Sequence, residues 1–93
     1  MNNLDPPLAA STDPNAREIA SIWDAQGQQY VSIDPNLWDD PAGWGLMLVD
    51  LARHVASAYA QLRGADRIAT LERIKAGWDA QWSYPTDIAH GSV

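Results

Sequence analysis

Asp39-Asp40-Pro41-Ala42-Gly43-Trp44-Gly45-Leu46-Met47-Leu48-Val49-Asp50-Leu51-Ala52-Arg53-His54-Val55-Ala56-Ser57-Ala58-Tyr59-Ala60-Gln61-Leu62-Arg63-Gly64 reads as one long helix, and that reading decides the fold. Asp40 is a good N-cap, and Pro41 falls at the first helical position, where its missing N–H costs nothing. Asp39 adds negative charge near the positive end of the helix dipole. Gly64 stands just past Arg63, where a left-handed residue ends a helix. The helix is expected over about 41–63, roughly 35 Å at ~1.5 Å per residue. Gly43 and Gly45 lie inside it, each about 1 kcal/mol worse than alanine as helix formers. Close approach of Trp38 or a strand to the first turn accounts for them; the alternative is backbone left open to a ligand.

Placing the residues at 100° intervals separates three surfaces. Trp44, Leu48, Leu51, Val55, Tyr59 and Leu62 form a face of large side chains. Gly45, Val49, Ala52, Ala56 and Ala60 form a face of small ones, and Asp50, Arg53, His54, Ser57 and Gln61 form a polar stripe. A helix that is apolar over most of its circumference is buried on more than one side, so this one needs two partners.

The flanking sequence offers both. After Gly64, Asp66 caps a second helix that carries Ile68, Leu71, Ile74, Trp78 and Trp82 at helical spacing, with Lys75 near that face. The short loop sets the two helices antiparallel. Before the long helix, Arg17 to Trp23 and Gln29 to Ile33 are rich in β-branched and aromatic residues and flank a turn at Gly27, which marks a hairpin. A two-residue turn at Gln26-Gly27 pairs Ile22 with Val31, Ala20 with Ile33 and Trp23 with Tyr30; a three-residue loop with a bulge shifts the register by one. The two-residue turn is preferred because it yields an aliphatic face and an aromatic cross-strand pair. The expected fold is α+β: a β-hairpin at about 17–33 packed on an antiparallel helix pair at about 41–63 and 66–82. Residues 1–16, with Pro6, Pro7 and Pro14, read as a flexible arm, 17–84 as a single ββαα domain and 85–93 as a tail.

A chain of 93 residues is one domain near the lower limit for folding without staples. It has no cysteine, so disulfides, thiolate metal sites and cysteine nucleophiles are excluded. Five tryptophans and three tyrosines supply the aromatic mass in the absence of phenylalanine. The formal net charge is −6, without clustered Lys and Arg, which argues against nucleic-acid binding. The acidity sits before the long helix: Arg17 against Glu18, Asp24, Asp34, Asp39 and Asp40 leaves −4. The amino terminus has no basic, apolar signal pattern, and no apolar run reaches the ~18 residues of a membrane span. A cytoplasmic protein with no membrane partner is the expectation.

Asp50, His54 and Ser57 line up at i, i+4 and i+7, which on paper gives acid, base and nucleophile. Side chains on one helix stack instead of converging, and no loop motif supplies oxyanion donors, so no catalytic residue is assigned. Asp50 and His54 are too few ligands for zinc, and Asp34, Asp39 and Asp40 lack the spacing of a calcium loop. Gly43-Trp44-Gly45 is not a phosphate loop. Neither metal nor cofactor is expected. The residues best placed to touch a ligand are Asp50, Arg53 and His54; those best placed to form an interaction surface are Trp23, Tyr30 and Trp38, while Trp44, Trp78 and Trp82 fall at core spacing.

Trp38-Asp39-Asp40-Pro41, Trp44-Gly45-Leu46 and Val49-Asp50-Leu51-Ala52-Arg53-His54-Val55-Ala56, with Arg73-Ile74-Lys75-Ala76-Gly77-Trp78-Asp79-Ala80-Gln81-Trp82 further on, resemble a family of small bacterial proteins catalogued as a domain of unknown function. The resemblance spans about Arg17 to Asp87 and implies a bacterial, intracellular protein, with no activity to carry over. Two apolar helix faces and an unpaired hairpin edge point to a non-catalytic interaction or oligomerisation module, with a homodimer as the expected assembly. The alternative is a small-molecule binder or minor enzyme using the Asp50, Arg53 and His54 stripe beside an aromatic wall.

Overall fold

The computed structural model describes residues 4–85 and 90–92. The elements run α1 (Leu8–Thr12), β1 (Ala20–Ala25), β2 (Gln28–Ile33), α2 (Ala42–Arg63), α3 (Arg67–Ser83) and β3 (His90–Ser92), an α+β fold with a hairpin and two long helices. The chain divides into two compact units: Met1–Leu37 with Ala89–Val93, and Trp38–Ile88.

In the first unit, β1 and β2 pair antiparallel with Ala20 opposite Ile33, Ile22 opposite Val31 and Trp23 opposite Tyr30, the register of the two-residue turn. Gln26 and Gly27 have φ of 56° and 73°. Positive φ at both central positions is the type I′ geometry, whose twist matches that of the strands. Below the strands, Asp34 N–H donates to the Ile19 carbonyl at 2.9 Å. Arg17 Nη2 reaches Asp34 Oδ2 at 2.8 Å, so the base of the hairpin is tied by backbone and side chain together.

Two features of this unit depart from expectation. His90–Ser92, within the segment read as a tail, forms a third strand parallel to β2, with Tyr30 opposite His90 and Ser32 opposite Ser92. The sheet order is β1-β2-β3, so β2 is internal and the free hairpin edge expected there is taken. Within the proline-rich arm, Leu8–Thr12 makes a short helix with every residue exposed. Ser11 Oγ donates to the Leu8 carbonyl at 2.8 Å there, a local bond that Ser and Thr make in place of longer-range pairing.

In the second unit, α2 begins one residue later than expected, at Ala42, so Pro41 and not Asp40 stands at its N-cap, without a side-chain cap bond; the Asp40 carboxylate accepts from Ala42 N–H at 3.0 Å just before the helix. Gly64 ends it at φ 66°, its N–H donating to the Ala60 carbonyl at 3.1 Å. Asp66 caps α3, its carboxylate accepting from Ala69 N–H at 3.1 Å. A three-residue connection between two helices in contact makes an antiparallel helical hairpin.

Ala56 is the buried hydrophobic residue among those described, at 0 % exposure. It sits in the middle of the small-residue face, with Ala52 and Ala60 half-buried on either side, so that face is the one applied to α3. Leu51, Val55, Tyr59 and Leu62 on the large-residue face are exposed, and α2 is therefore not enclosed on several sides as expected. Short side chains let the two backbones come close, and the helix pair packs there in preference to the face of large ones.

Candidate functional site

Antiparallel pairing sets the first half of α2 beside the second half of α3. Along that half α2 offers Gly45, Val49 and Ala52, while α3 offers Leu71, Ile74 and Trp78. Ala52 leaves space between the two helices, and an open groove of about 420 Å³ remains there. Leu48 and Ala52 from α2 and Leu71 and Ile74 from α3 line it, with Trp78 forming one wall. Its rim carries Arg53, Glu72, Lys75 and Asp79, two cations and two acids. Lys75 Nζ donates to Asp79 Oδ2 at 2.9 Å one turn on, so the lysine stem lies along the apolar lining while its charge stays at the edge.

The expectation that Trp78 and Trp82 belong to a core needs correction. They are 48 % and 77 % exposed, with their rings stacked at 6.2 Å and 18°. The reason is that Trp78 borders α2 where α2 answers with Ala52, while Trp82, one turn on, faces the open side of the pair. Trp44 is half-buried instead, in edge-to-face contact with Trp38 at 5.2 Å and 90°.

Among the residues singled out from sequence, Asp50, Arg53 and His54 are all exposed. Arg53 Nη1 lies 3.6 Å from Asp50 Oδ1, an exposed pair one turn apart and worth about 0–1 kcal/mol. Arg53 alone of the three also lines the groove. Trp23 and Tyr30 are half-buried cross-strand neighbours; Trp23 Nε1 donates to Ser21 Oγ at 3.0 Å and Tyr30 Oη to Gln28 Oε1 at 3.3 Å. Trp38, in the other unit, is half-buried over the start of α2. Sequence reasoning missed the groove, although its signal was present: a small-residue stripe on one helix and an aromatic stripe on the helix that must pack against it. Among the described residues no group of three or more His, Cys, Asp and Glu is arranged to hold a metal ion, and no helix is long and apolar enough to cross a membrane.

A capped helical hairpin with an apolar groove between its arms and, in the same chain, a small mixed sheet define an α+β protein. The chain belongs to the family described as "Domain of unknown function (DUF5076)", which it matches over residues 3–86. Among solved structures it is similar to a protein of the photosynthetic bacterium Rhodopseudomonas palustrus CGA009 described as a "putative pyruvate dehydrogenase". The two share 31% identity at a TM-score of 0.75, over 100% of this chain and 96% of that one. No protein of curated function matches the chain.

Proposed function

We propose that the protein is a cytoplasmic, non-catalytic interaction module whose working surface is the α2–α3 hairpin. One observation carries this reading: Val49 and Trp78, which line the groove, and Trp82, stacked on Trp78, are all exposed while Ala56 is the buried hydrophobic residue of the pair. Contiguous apolar surface of this kind marks a site of association. The mixed-sign rim suits a protein partner better than a polyanion, in keeping with the −6 net charge. Light scattering across a dilution series, paired with binding of an environment-sensitive hydrophobic dye, tests the reading. Self-association or dye binding at the helix pair is expected; a strict monomer that binds no dye contradicts it.

A second reading has its own observation. Arg53 borders the groove opposite Trp78, and a similar protein is described as a pyruvate dehydrogenase of putative standing. On this reading Arg53, with Asp50 paired to it and His54 next to it on the stripe, grips a small carboxylate such as pyruvate through its guanidinium, which binds carboxylates in bidentate fashion. Pyruvate should then raise the melting temperature, and Arg53→Ala should remove the rise. No rise with the unmodified chain contradicts this second reading.

A further inference from the structure

We infer that the occupant of the α2–α3 groove is the same face of a second copy of this chain, with Trp82 of each copy entering the groove of the other. The inference rests on the interaction-module reading and names its partner.

The helical positions place the relevant residues on one side of the hairpin. With α3 applied to the Ala52–Ala56–Ala60 side of α2, Leu46, Val49 and Arg53 turn to the same open side as Ile68, Lys75 and Trp82 of α3. Lining of one groove by Val49, Arg53, Lys75 and Trp78 is the direct sign of that arrangement. This side is therefore both hole and knob: a groove lined by Leu48, Val49 and Ala52 of α2, and, stacked on the Trp78 of its wall, the Trp82 indole, which is 77 % exposed. A surface that carries its own complement is what an isologous dimer requires, since residue i meets j and j meets i.

The area is sufficient. Leu46, Val49, Ile68, Trp78 and Trp82 are 72, 50, 64, 48 and 77 % exposed. They leave on the order of 500 Å² of apolar side chain in water, taking roughly 150–250 Å² for each large aromatic and somewhat less for the aliphatics. With the groove lining and the rim added, the face approaches the ~800 Å² per partner of a standard specific interface.

Charge favours a second copy as well. Two chains of net charge −6 repel, yet the groove rim sums to zero, with Arg53 and Lys75 against Glu72 and Asp79. Two of the six basic residues in the chain stand at this one place. Rotation about a twofold axis can set acid against base, whereas a strongly basic or acidic partner would meet like charge on half the rim.

The test compares the unmodified chain with Trp82→Lys, whose exposed position should leave the helix content unchanged, as circular dichroism checks. Sedimentation velocity should show a dimer for the unmodified chain. Trp82→Lys should weaken it at least about 30-fold, the effect of removing an interface hot spot. A dimer that survives Trp82→Lys unchanged overturns the inference, because association then uses another face. An unmodified chain that stays monomeric but binds hydrophobic dye in a Trp82-dependent way also overturns it, while leaving the interaction-module reading in place with a different partner. A monomer without dye binding overturns both.

Discussion

The indole of Trp38 lies directly over Gly43: a Cβ built at that glycine would stand 2.6 Å from Trp38 Cγ and 2.8 Å from Cδ2. The glycine is thus a steric requirement of the first turn of α2, and Trp38 in turn holds the edge of Trp44. Gly43→Ala should therefore destabilise the protein by about 1–3 kcal/mol through overpacking, despite a better helix propensity. Urea unfolding reads the change as a lower midpoint. An unchanged or raised midpoint would mean that the Trp38 ring moves aside freely.

Gly45 and Gly77 provide the contrast, since nothing lies within 4 Å of a Cβ at either position. Both sit inside helices with ordinary φ. Gly45→Ala and Gly77→Ala should each stabilise by up to about 1 kcal/mol, the helix-propensity difference alone. The same unfolding experiment checks them, and the opposite signs at positions 43 and 45 separate contact from propensity.

The hairpin turn makes a third expectation. Gln26 holds φ 56° without the side chain that best tolerates it, and Gly27 holds φ 73°. Gln26→Asn should raise stability by a few tenths of a kcal/mol to ~1, while Gly27→Ala should lower it by roughly 1–2. Thermal unfolding resolves the pair by the direction of each shift.

Asp66 supplies the fourth. Its carboxylate accepts from Ala69 N–H, and its carbonyl accepts from Thr70 N–H at 2.9 Å at the start of α3. Asp66→Ala removes only the side-chain bond and should cost about 0.5–2 kcal/mol. Asp66→Asn should recover most of the loss in the same urea titration; failure to do so would assign the effect to charge at the helix dipole and not to the cap.

These positions also show which parts of the fold were legible. Asp40, Gly64 and Asp66 act on their own neighbours within a turn, and Gln26-Gly27 fixes a register by its own backbone angles, so residue type alone located both helices and the hairpin pairing. The strand at His90–Ser92 was not legible, because His-Gly-Ser has no alternating apolar pattern; the pairing is with β2, about sixty residues away. The groove was not legible for a related reason. Trp78 and Trp82 have the spacing of core residues, and only the facing helix, with Ala52 in place of a large side chain, decides that they stay open. Asp50, Arg53 and His54 were legible as one stripe, but that Arg53 alone borders the groove follows from the packing of α3.

The central claim is that the open face of the helix pair is made for a second copy. Sedimentation equilibrium of the unmodified chain across a dilution series tests it most directly. The mass should rise with concentration toward twice the 10.2 kDa of the chain. A mass that stays at 10.2 kDa at every concentration would contradict it.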